Sequence, residues 1–298
     1  MTPQHGRTTR RARVDARGAV PSDESDHEDV WCLRAEGITL GYGGGEPVVR
    51  DLSLDIPRGG LTVVIGPNGC GKSTVLKALG RVVVPSEGDV LLHGRSLRRY
   101  RGKAVARRLA LLPQTPIAPE RITVRDLVGR SRYPHHSLLR QWSDADDDAV
   151  AEALDRTGLT DSADRQVGEL SGGQRQRAWF AMVLAQETDI VLLDEPTTFL
   201  DIAHQFELLE LCARLHLDGR TIVAVLHDLN QAARYATHLV VMAGGRIVAQ
   251  GAPAEVLTAE LVTEVFGLAC DVIVDPHAGT PLVIPLPRAR GPLADARD

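Results

Sequence analysis

The stretch that most constrains the fold of this chain is residues 66–74, which read GPNGCGKST. They match the phosphate-binding pattern G-x-x-x-x-G-K-[ST]. The apolar run 61–65 precedes them and predicts a buried strand, and the amphipathic stretch 73–81 predicts a helix. A glycine-rich turn with a chance lysine would lack this context. The sequence therefore predicts an α/β domain that binds a phosphate group between a strand and a helix.

The residue types of this loop suit a nucleotide. Glycine at positions 66, 69 and 71 lets successive backbone N–H groups surround a phosphate, and the helix N-terminus adds partial positive charge. We expect Lys72 to contact the β- and γ-phosphates and Ser73 to provide a hydroxyl ligand for Mg²⁺. The candidate ATP-binding residues of the loop are Gly66, Pro67, Asn68, Gly69, Cys70, Gly71, Lys72, Ser73 and Thr74.

Composition narrows the remaining classes of protein. The 298 residues allow one large α/β domain or two small ones, and a net charge of −5 argues against a nucleic-acid-binding face. The four cysteines are scattered without a C-x-x-C pair, which favours free thiols over a zinc site or disulfides. No apolar run approaches the ~18–20 residues of a membrane span, and no signal peptide is apparent. We expect a soluble protein, or one held at a membrane by a partner.

Sequence pattern divides the chain into tails and an ordered domain. Residues 1–29 combine an arginine-rich and an acidic stretch and predict a disordered tail, and 286–298 predict a flexible one. The domain spans 30–285 and ends in a β-hairpin at about 270–285. Residues 115–180 lack long apolar runs and predict a mostly helical insertion, including an acidic-start helix over 144–154.

Short apolar runs predict the strands. Continuous runs at 190–193 and 221–226 are typical of central parallel strands that are buried on both faces. We expect edge strands at 38–42 and 52–56, and a hairpin around Gly244-Gly245. A helix between the two central strands is predicted by apolar residues at helical spacing, namely Ile202, Phe206, Leu209, Cys212 and Leu215.

Polar residues follow three apolar runs, at 111–113, 190–193 and 221–226. Asp194 and Glu195 come directly after the strand 190–193, at the edge of an α/β sheet where ligands bind. We expect Asp194 to hold Mg²⁺ through water and Glu195 to activate the attacking water. His227 follows the next strand and would reach a γ-phosphate if the two strands are neighbours. Gln114 follows the run 111–113 and carries little information by itself.

Three further elements have both a functional and a structural interpretation. Residues 170–174 read LSGGQ. They could present a hydroxyl, bare N–H groups and a helix dipole to an anion. Alternatively, they form an ordinary N-cap with a glycine hinge. Asp201 is a candidate site residue or only a helix N-cap. Tyr42 is a candidate to stack against adenine, or an aromatic residue that closes a glycine-rich turn.

In this order and spacing, the motifs resemble the ATP-binding subunits of ABC transporters over roughly residues 32–285. The LSGGQ element together with the phosphate-binding loop is specific to that family. The resemblance implies a P-loop NTPase of the ABC ATPase type, with an antiparallel β subdomain and a helical subdomain inserted after the Gln114 loop. It also implies that ATP and Mg²⁺ bind.

The resemblance further implies a head-to-tail dimer that sandwiches two ATP molecules. Glu195 would polarise water, His227 would contact the γ-phosphate, Gln114 would sense Mg²⁺ and water, and Asp201 would relay information across the dimer. Each ATP would also contact residues of the second copy, namely Ser171, Gly172, Gly173 and Gln174.

Other segments are similar to one branch of that family. Residues 129–135, 197–205 and 227–232 resemble subunits of ferric-siderophore and cobalamin importers, and 137–142 resemble the ferric-enterobactin type. This implies an ATPase at the cytoplasmic face of the membrane, bound to a permease and served indirectly by an extracytoplasmic siderophore-binding protein. The alternatives are haem, cobalamin or another metal chelate as cargo, or a soluble ABC ATPase acting on DNA or ribosomes. The chain has a single ATP cassette and no heptad repeats, which favours a role in transport over an ABC ATPase that acts on nucleic acid.

Overall fold

The computed structural model describes residues 30–43, 45–136 and 142–287. The predicted tail at 1–29, all but the first two residues of the predicted tail at 286–298, and most of the segment likened to enterobactin-type subunits lie outside the described residues. The strands are β1 (Trp31–Leu40), β2 (Val49–Pro57), β3 (Leu61–Ile65), β4 (Glu87–Leu92), β5 (Arg95–Ser96), β6 (Leu109–Leu112), β7 (Ile190–Asp194), β8 (Thr221–Val225), β9 (His238–Ala243), β10 (Arg246–Gly251), β11 (Cys270–Val274) and β12 (Pro281–Pro285).

Nine α-helices lie in the described part of the chain, and none is long and apolar enough to cross a bilayer. They are α1 (Lys72–Leu79), α2 (Gly102–Ala106), α3 (Val124–Gly129), α4 (Asp144–Arg156), α5 (Gly172–Ala185), α6 (Ile202–Leu217), α7 (Leu229–Tyr235), α8 (Pro253–Val256) and α9 (Ala259–Phe266).

The central sheet has the order β10-β9-β3-β8-β7-β6, and its five strands from β9 to β6 are parallel. Successive side chains of a strand point to opposite faces, so β7 sends Val191 and Leu193 into one apolar core and Ile190 and Leu192 into another. Both faces of β7 and β8 are therefore buried, which confirms the prediction from their continuous apolar runs. The predicted hairpin is β9–β10.

The second sheet is antiparallel, in the order β2-β1-β4-β5. The expected edge strand at 52–56 lies in β2, which is at the edge. The expected edge strand at 38–42 is wrong, because β1 pairs with β2 on one side and β4 on the other. The strand also begins earlier, at Trp31. Charged Arg34 and Glu36 interrupt its apolar pattern on the exposed face and conceal its first half in the sequence.

A helical subdomain follows β6 and contains α3, α4 and α5, which pack against one another. The acidic-start helix is confirmed as α4, whose first turn is capped by Ser143 in a capping box with Asp146. The predicted helix between β7 and β8 is α6, and Leu209, Cys212 and Leu215 are buried in it. The first turn of α6 is exposed, however, and 73 % of the surface of Ile202 is accessible to solvent.

Candidate active site

Four parallel strands end at the same edge of the central sheet, and the predicted functional residues follow them there. The register pairs Asp194 of β7 with Val225 of β8, which brings His227 next to Glu195 and confirms that the two strands are neighbours. A cavity of about 550 Å³ opens at this edge. Its lining comprises Val48, Asn68, Gly69, Gly71, Lys72, Ser73, Thr74, Gln114, Glu195 and His227.

The loop between β3 and α1 forms a cradle that suits a phosphate. Gly69 and Gly71 adopt φ values of 77° and 103°, which L side chains rarely tolerate. A Cβ atom on Gly66 would lie 2.1 Å from the Met242 carbonyl oxygen, so only glycine fits. The Lys72 ammonium is buried and donates to the carbonyl oxygens of Gly66 at 2.8 Å and Pro67 at 3.0 Å. Two of its three donors hold the loop, and the third remains to contact a phosphate.

Asp194 and Ser73 form a pair whose chemistry suits a hard divalent cation. The Ser73 hydroxyl donates to Asp194 Oδ1 at 2.6 Å, and Asp194 is completely buried. Its Oδ2 has no hydrogen-bond partner within the described residues, and burial raises the pKa of this carboxyl. A buried carboxylate oxygen without a partner is costly unless a ligand satisfies it, and oxygen ligands are those that Mg²⁺ prefers.

Glu195 is held between two other predicted site residues. His227 Nε2 lies 2.7 Å from its Oε1, and the Gln114 side-chain amide donates to its Oε2 at 2.6 Å. The backbone of Glu195 has φ 52°, a left-handed conformation that costs about 1–3 kcal/mol in a non-glycine residue. The two adjacent side chains consequently point in different directions: Asp194 is buried beside α1, and Glu195 lines the cavity.

The LSGGQ element lies apart from this cavity. Ser171 caps α5: its hydroxyl accepts from the Gln174 N–H at 3.2 Å, and the Gln174 side chain accepts from the Ser171 N–H at 3.1 Å. Gly172 and Gly173 pack beside Phe199 and Leu200, in the loop that follows β7. The described lining of the cavity includes none of residues 171–174.

Comparison with known proteins decides the family. A family model described as "ABC transporter" matches residues 49–198. This chain belongs to the ABC transporter family. It is 56 % identical to the ferric enterobactin transport ATP-binding protein FepC of Escherichia coli strain K12, over 88 % of this chain and 96 % of FepC. It is 50 % identical to the petrobactin import ATP-binding protein FpuD of Bacillus anthracis, over 87 % of this chain and 94 % of FpuD.

Solved structures confirm the predicted fold class. The chain superposes on the dimeric structure of MJ0796, a bacterial ABC transporter cassette, with a TM-score of 0.67 and 26 % identity. The match covers 74 % of this chain and 98 % of that cassette. The chain is therefore an ABC ATPase that binds ATP, with a P-loop NTPase core, an antiparallel β subdomain and a helical subdomain.

Two predicted residues lie outside the lining of the cavity. Tyr42 is 54 % exposed, and its hydroxyl lies 3.3 Å from the Thr74 hydroxyl, so its ring stands beside the loop without lining the cavity. Asp201 caps α6 by accepting from the His204 N–H at 3.0 Å. This hydrogen bond lowers the pKa of the Asp201 carboxyl. The structural interpretation of Asp201 therefore holds, whatever further role this ABC ATPase gives it.

Two residues in or beside the cavity were not predicted from the sequence. Val48 lines the cavity, and a Cβ atom on Gly71 would lie 3.5 Å from it. The Thr198 hydroxyl lies 3.5 Å from Glu195 Oε2. A valine just before a strand carries no recognisable signal. Thr198 stands three residues after Glu195, and the sequence indicated only that the segment 197–205 around it resembles importer subunits.

Proposed function

We propose that this chain is the ATP-hydrolysing subunit that powers import of an iron(III)–siderophore complex through a partner membrane permease. The observation that carries the proposal is the 56 % identity to FepC across 96 % of its length. An achromobactin transport ATP-binding protein is 51 % identical, whereas hemin and cobalamin import proteins reach 42 % and 40 %. Siderophore cargo is thus favoured over haem and cobalamin.

In the proposed mechanism, Glu195 accepts a proton from the water that attacks the γ-phosphate. The contacts from Gln114 and His227 orient its carboxylate towards the cavity. General-base catalysis of this kind contributes about 10²–10⁴-fold to a rate. Ser73 and Asp194 would hold Mg²⁺, Asp194 through water and with Gln114 nearby. The ion would neutralise the charge on the β- and γ-phosphates.

The complete site is proposed to need a second copy of the chain. The cavity holds the groups that bind phosphate and activate water, and the exposed N-terminus of α5 lies outside its lining. A helix N-terminus with bare glycine N–H groups suits a γ-phosphate. Ser171, Gly172, Gly173 and Gln174 of one copy would therefore contact the ATP bound by the other, and Asp201 would lie near this interface.

The permease is proposed to dock on the helical subdomain near Gln114 and residues 115–135. Ile117 lies in this segment, and its side chain is 88 % exposed. A groove of about 700 Å³ on the same subdomain carries the exposed aromatic rings of Tyr133 and Trp142. Docking there would keep the chain at the cytoplasmic face of the membrane. An extracytoplasmic binding protein would act only through the permease.

Uptake of labelled cargo by cells tests the proposal. In a strain that lacks the gene, a plasmid copy should restore uptake of iron from a ferric siderophore, and Glu195→Gln should not. Glu264→Gln, which removes an exposed carboxylate on α9, serves as the matched control and should restore uptake. Restored uptake of haem or cobalamin in place of the siderophore would overturn the assigned cargo.

A further inference from the structure

A second cavity lies where the C-terminal end of α4 meets α5 and α6. Its volume is about 220 Å³, below the ~300–1,000 Å³ of pockets for drug-sized ligands. Three arginines on three different elements converge on it, together with one glutamate and apolar side chains. The lining comprises Arg156, Thr157, Gly158, Arg177, Phe180, His204, Glu207, Leu208, Leu211 and Arg214.

The positive charge of this cavity is only partly neutralised by the described residues. Arg177 Nε is buried and has no hydrogen-bond partner there, and Arg214 forms no ion pair within residues 30–43, 45–136 and 142–287. Arg156 pairs with Glu152 at 2.7 Å on the helix surface. Glu207 is the acidic group among the lining residues, which include three arginines, so the lining itself carries an excess of positive charge.

The carboxylates around the cavity form no ion pair with Arg177 or Arg214 within the described residues. Asp201 lies 2.7 Å from His204 and also acts electrostatically on Arg177, without forming an ion pair with it. A smaller neighbouring cavity of about 40 Å³ shares Arg156 and adds Arg220, whose Nη1 is also buried without a partner in the described structure. Its two carboxylates are already engaged, Glu152 by Arg156 and Glu187 by Arg132 at 2.6 Å. Unpartnered guanidinium nitrogens are expensive to bury unless a ligand satisfies them.

We propose that this cavity, the arginine cavity, binds a small phosphate-type oxyanion, either inorganic phosphate or the phosphoryl group of a small metabolite. Guanidinium groups match the oxygens of such an anion in two-point hydrogen bonds, and the small volume excludes a nucleotide. The anion would link Arg156 at the end of α4, Arg177 of α5 and Arg214 of α6.

Two helices connect the arginine cavity with the proposed ATP site. Helix α5 begins at the LSGGQ element, and α6 begins directly after the loop that carries Glu195 and Asp201. An anion that joins the two helices restricts the motion of one relative to the other. Binding therefore stabilises the chain and changes the rate of ATP hydrolysis, while the ATP-site residues themselves stay untouched.

Calorimetric titration of the full chain with inorganic phosphate tests the proposal. The phosphate loop also attracts phosphate, so the chain is first saturated with ADP, and a Lys72→Ala chain provides a second background. Ionic strength is held constant, because exposed charges respond to salt. Arg156→Gln and Arg214→Gln change exposed side chains and should leave the fold intact; Arg246→Gln on β10 is the matched loss of one exposed arginine.

Each arginine-cavity variant is expected to weaken phosphate binding about tenfold or more, since a charge-assisted hydrogen bond is lost, and Arg246→Gln should leave it unchanged. Phosphate should also raise the unfolding midpoint of the ADP-bound chain, and the two variants should lose this shift. Equal binding by all variants, or no saturable binding, would overturn the proposal. A parallel titration with glycerol 3-phosphate separates the two sources: tighter binding of the ester assigns a metabolite, and tighter binding of phosphate assigns the free ion.

Discussion

The phosphate loop and the LSGGQ element are both glycine-rich helix N-termini, but their polar groups are arranged differently. At the loop, Lys72 retains a donor beyond its two loop contacts, and Asp194 Oδ2 is buried without a partner in the described structure. At the LSGGQ element, Ser171 and Gln174 satisfy each other through the capping box, and the helix end is exposed.

This difference indicates how the two halves of the proposed ATP site are used. The loop carries unsatisfied groups at a preformed cavity, so it can bind nucleotide within one chain. The LSGGQ element is stable without a ligand and presents N–H groups on a surface, as expected for a part that meets its ligand only on assembly. Variants of the loop should therefore change ATP binding to one chain, and variants of the LSGGQ element should change dimer formation and turnover.

Glu195→Gln is expected to produce the largest effect. The amide retains the shape of the side chain and its contact with Gln114, but it cannot accept the proton of the attacking water. Turnover should fall by about 10²–10⁴-fold, while ATP binding to the loop remains and drives a stable dimer. Phosphate release and gel filtration with ATP measure the two quantities. Hydrolysis at the wild-type rate would remove Glu195 from the role of base.

Ser171→Asp and Ser171→Ala distinguish the capping role of this residue from contact with ATP. Aspartate is as good an N-cap as serine, so Ser171→Asp should keep the unfolding midpoint, but its charge would face the γ-phosphate held by the partner. Turnover should fall on the order of a hundredfold or more, since like charges across an interface cost several kcal/mol.

Ser171→Ala removes the cap and should lower the midpoint by roughly 2–4 °C, for a loss of about 1 kcal/mol. Thermal melts without nucleotide and phosphate release with ATP give the two readouts for both variants. Normal turnover by the aspartate variant would indicate that residues 171–174 serve only the fold.

Asp194→Asn should stabilise the nucleotide-free chain while it reduces hydrolysis. Burial raises the folded-state pKa of Asp194 above its unfolded value, so the folded chain binds this proton more tightly. The carboxylate therefore costs stability above the folded pKa, and the cost disappears below the unfolded value near pH 4. Asparagine can still accept from Ser73, so the midpoint should rise by a few degrees at pH 7.

The pH dependence provides the check on this prediction. The gain in midpoint should shrink as pH falls towards 4, because both versions of the side chain are then uncharged. Melts between pH 4 and 8 without nucleotide and Mg²⁺ measure it. A gain that stays constant over this range would show that the charge of Asp194 is not its cause.

The sequence predicted the parts of the site that follow from strand order. Parallel strands place their carboxyl ends at one edge, so Asp194, Glu195 and His227 were expected together once the two apolar runs were taken as neighbours. Prediction from the sequence failed where packing against a distant segment determines the environment of a residue. The charged residues of β1 conceal an internal strand, and the contact of Val48 with the loop depends on packing between distant segments. The left-handed backbone of Glu195 has no sequence signal either.

Substitutions of Tyr42, which lies beside the phosphate loop, should give the smallest effect. Its ring is exposed and only its hydroxyl contacts the loop, through Thr74. If the ring stacks on adenine, Tyr42→Ala should weaken ATP binding about 2- to 12-fold, corresponding to ~0.5–1.5 kcal/mol, and Tyr42→Phe should bind normally. Equilibrium titration with a fluorescent ATP analogue measures both. An equal loss in both variants would assign the effect to the hydroxyl contact, and no loss in either would leave Tyr42 as a residue that closes the turn, with adenine bound by other groups.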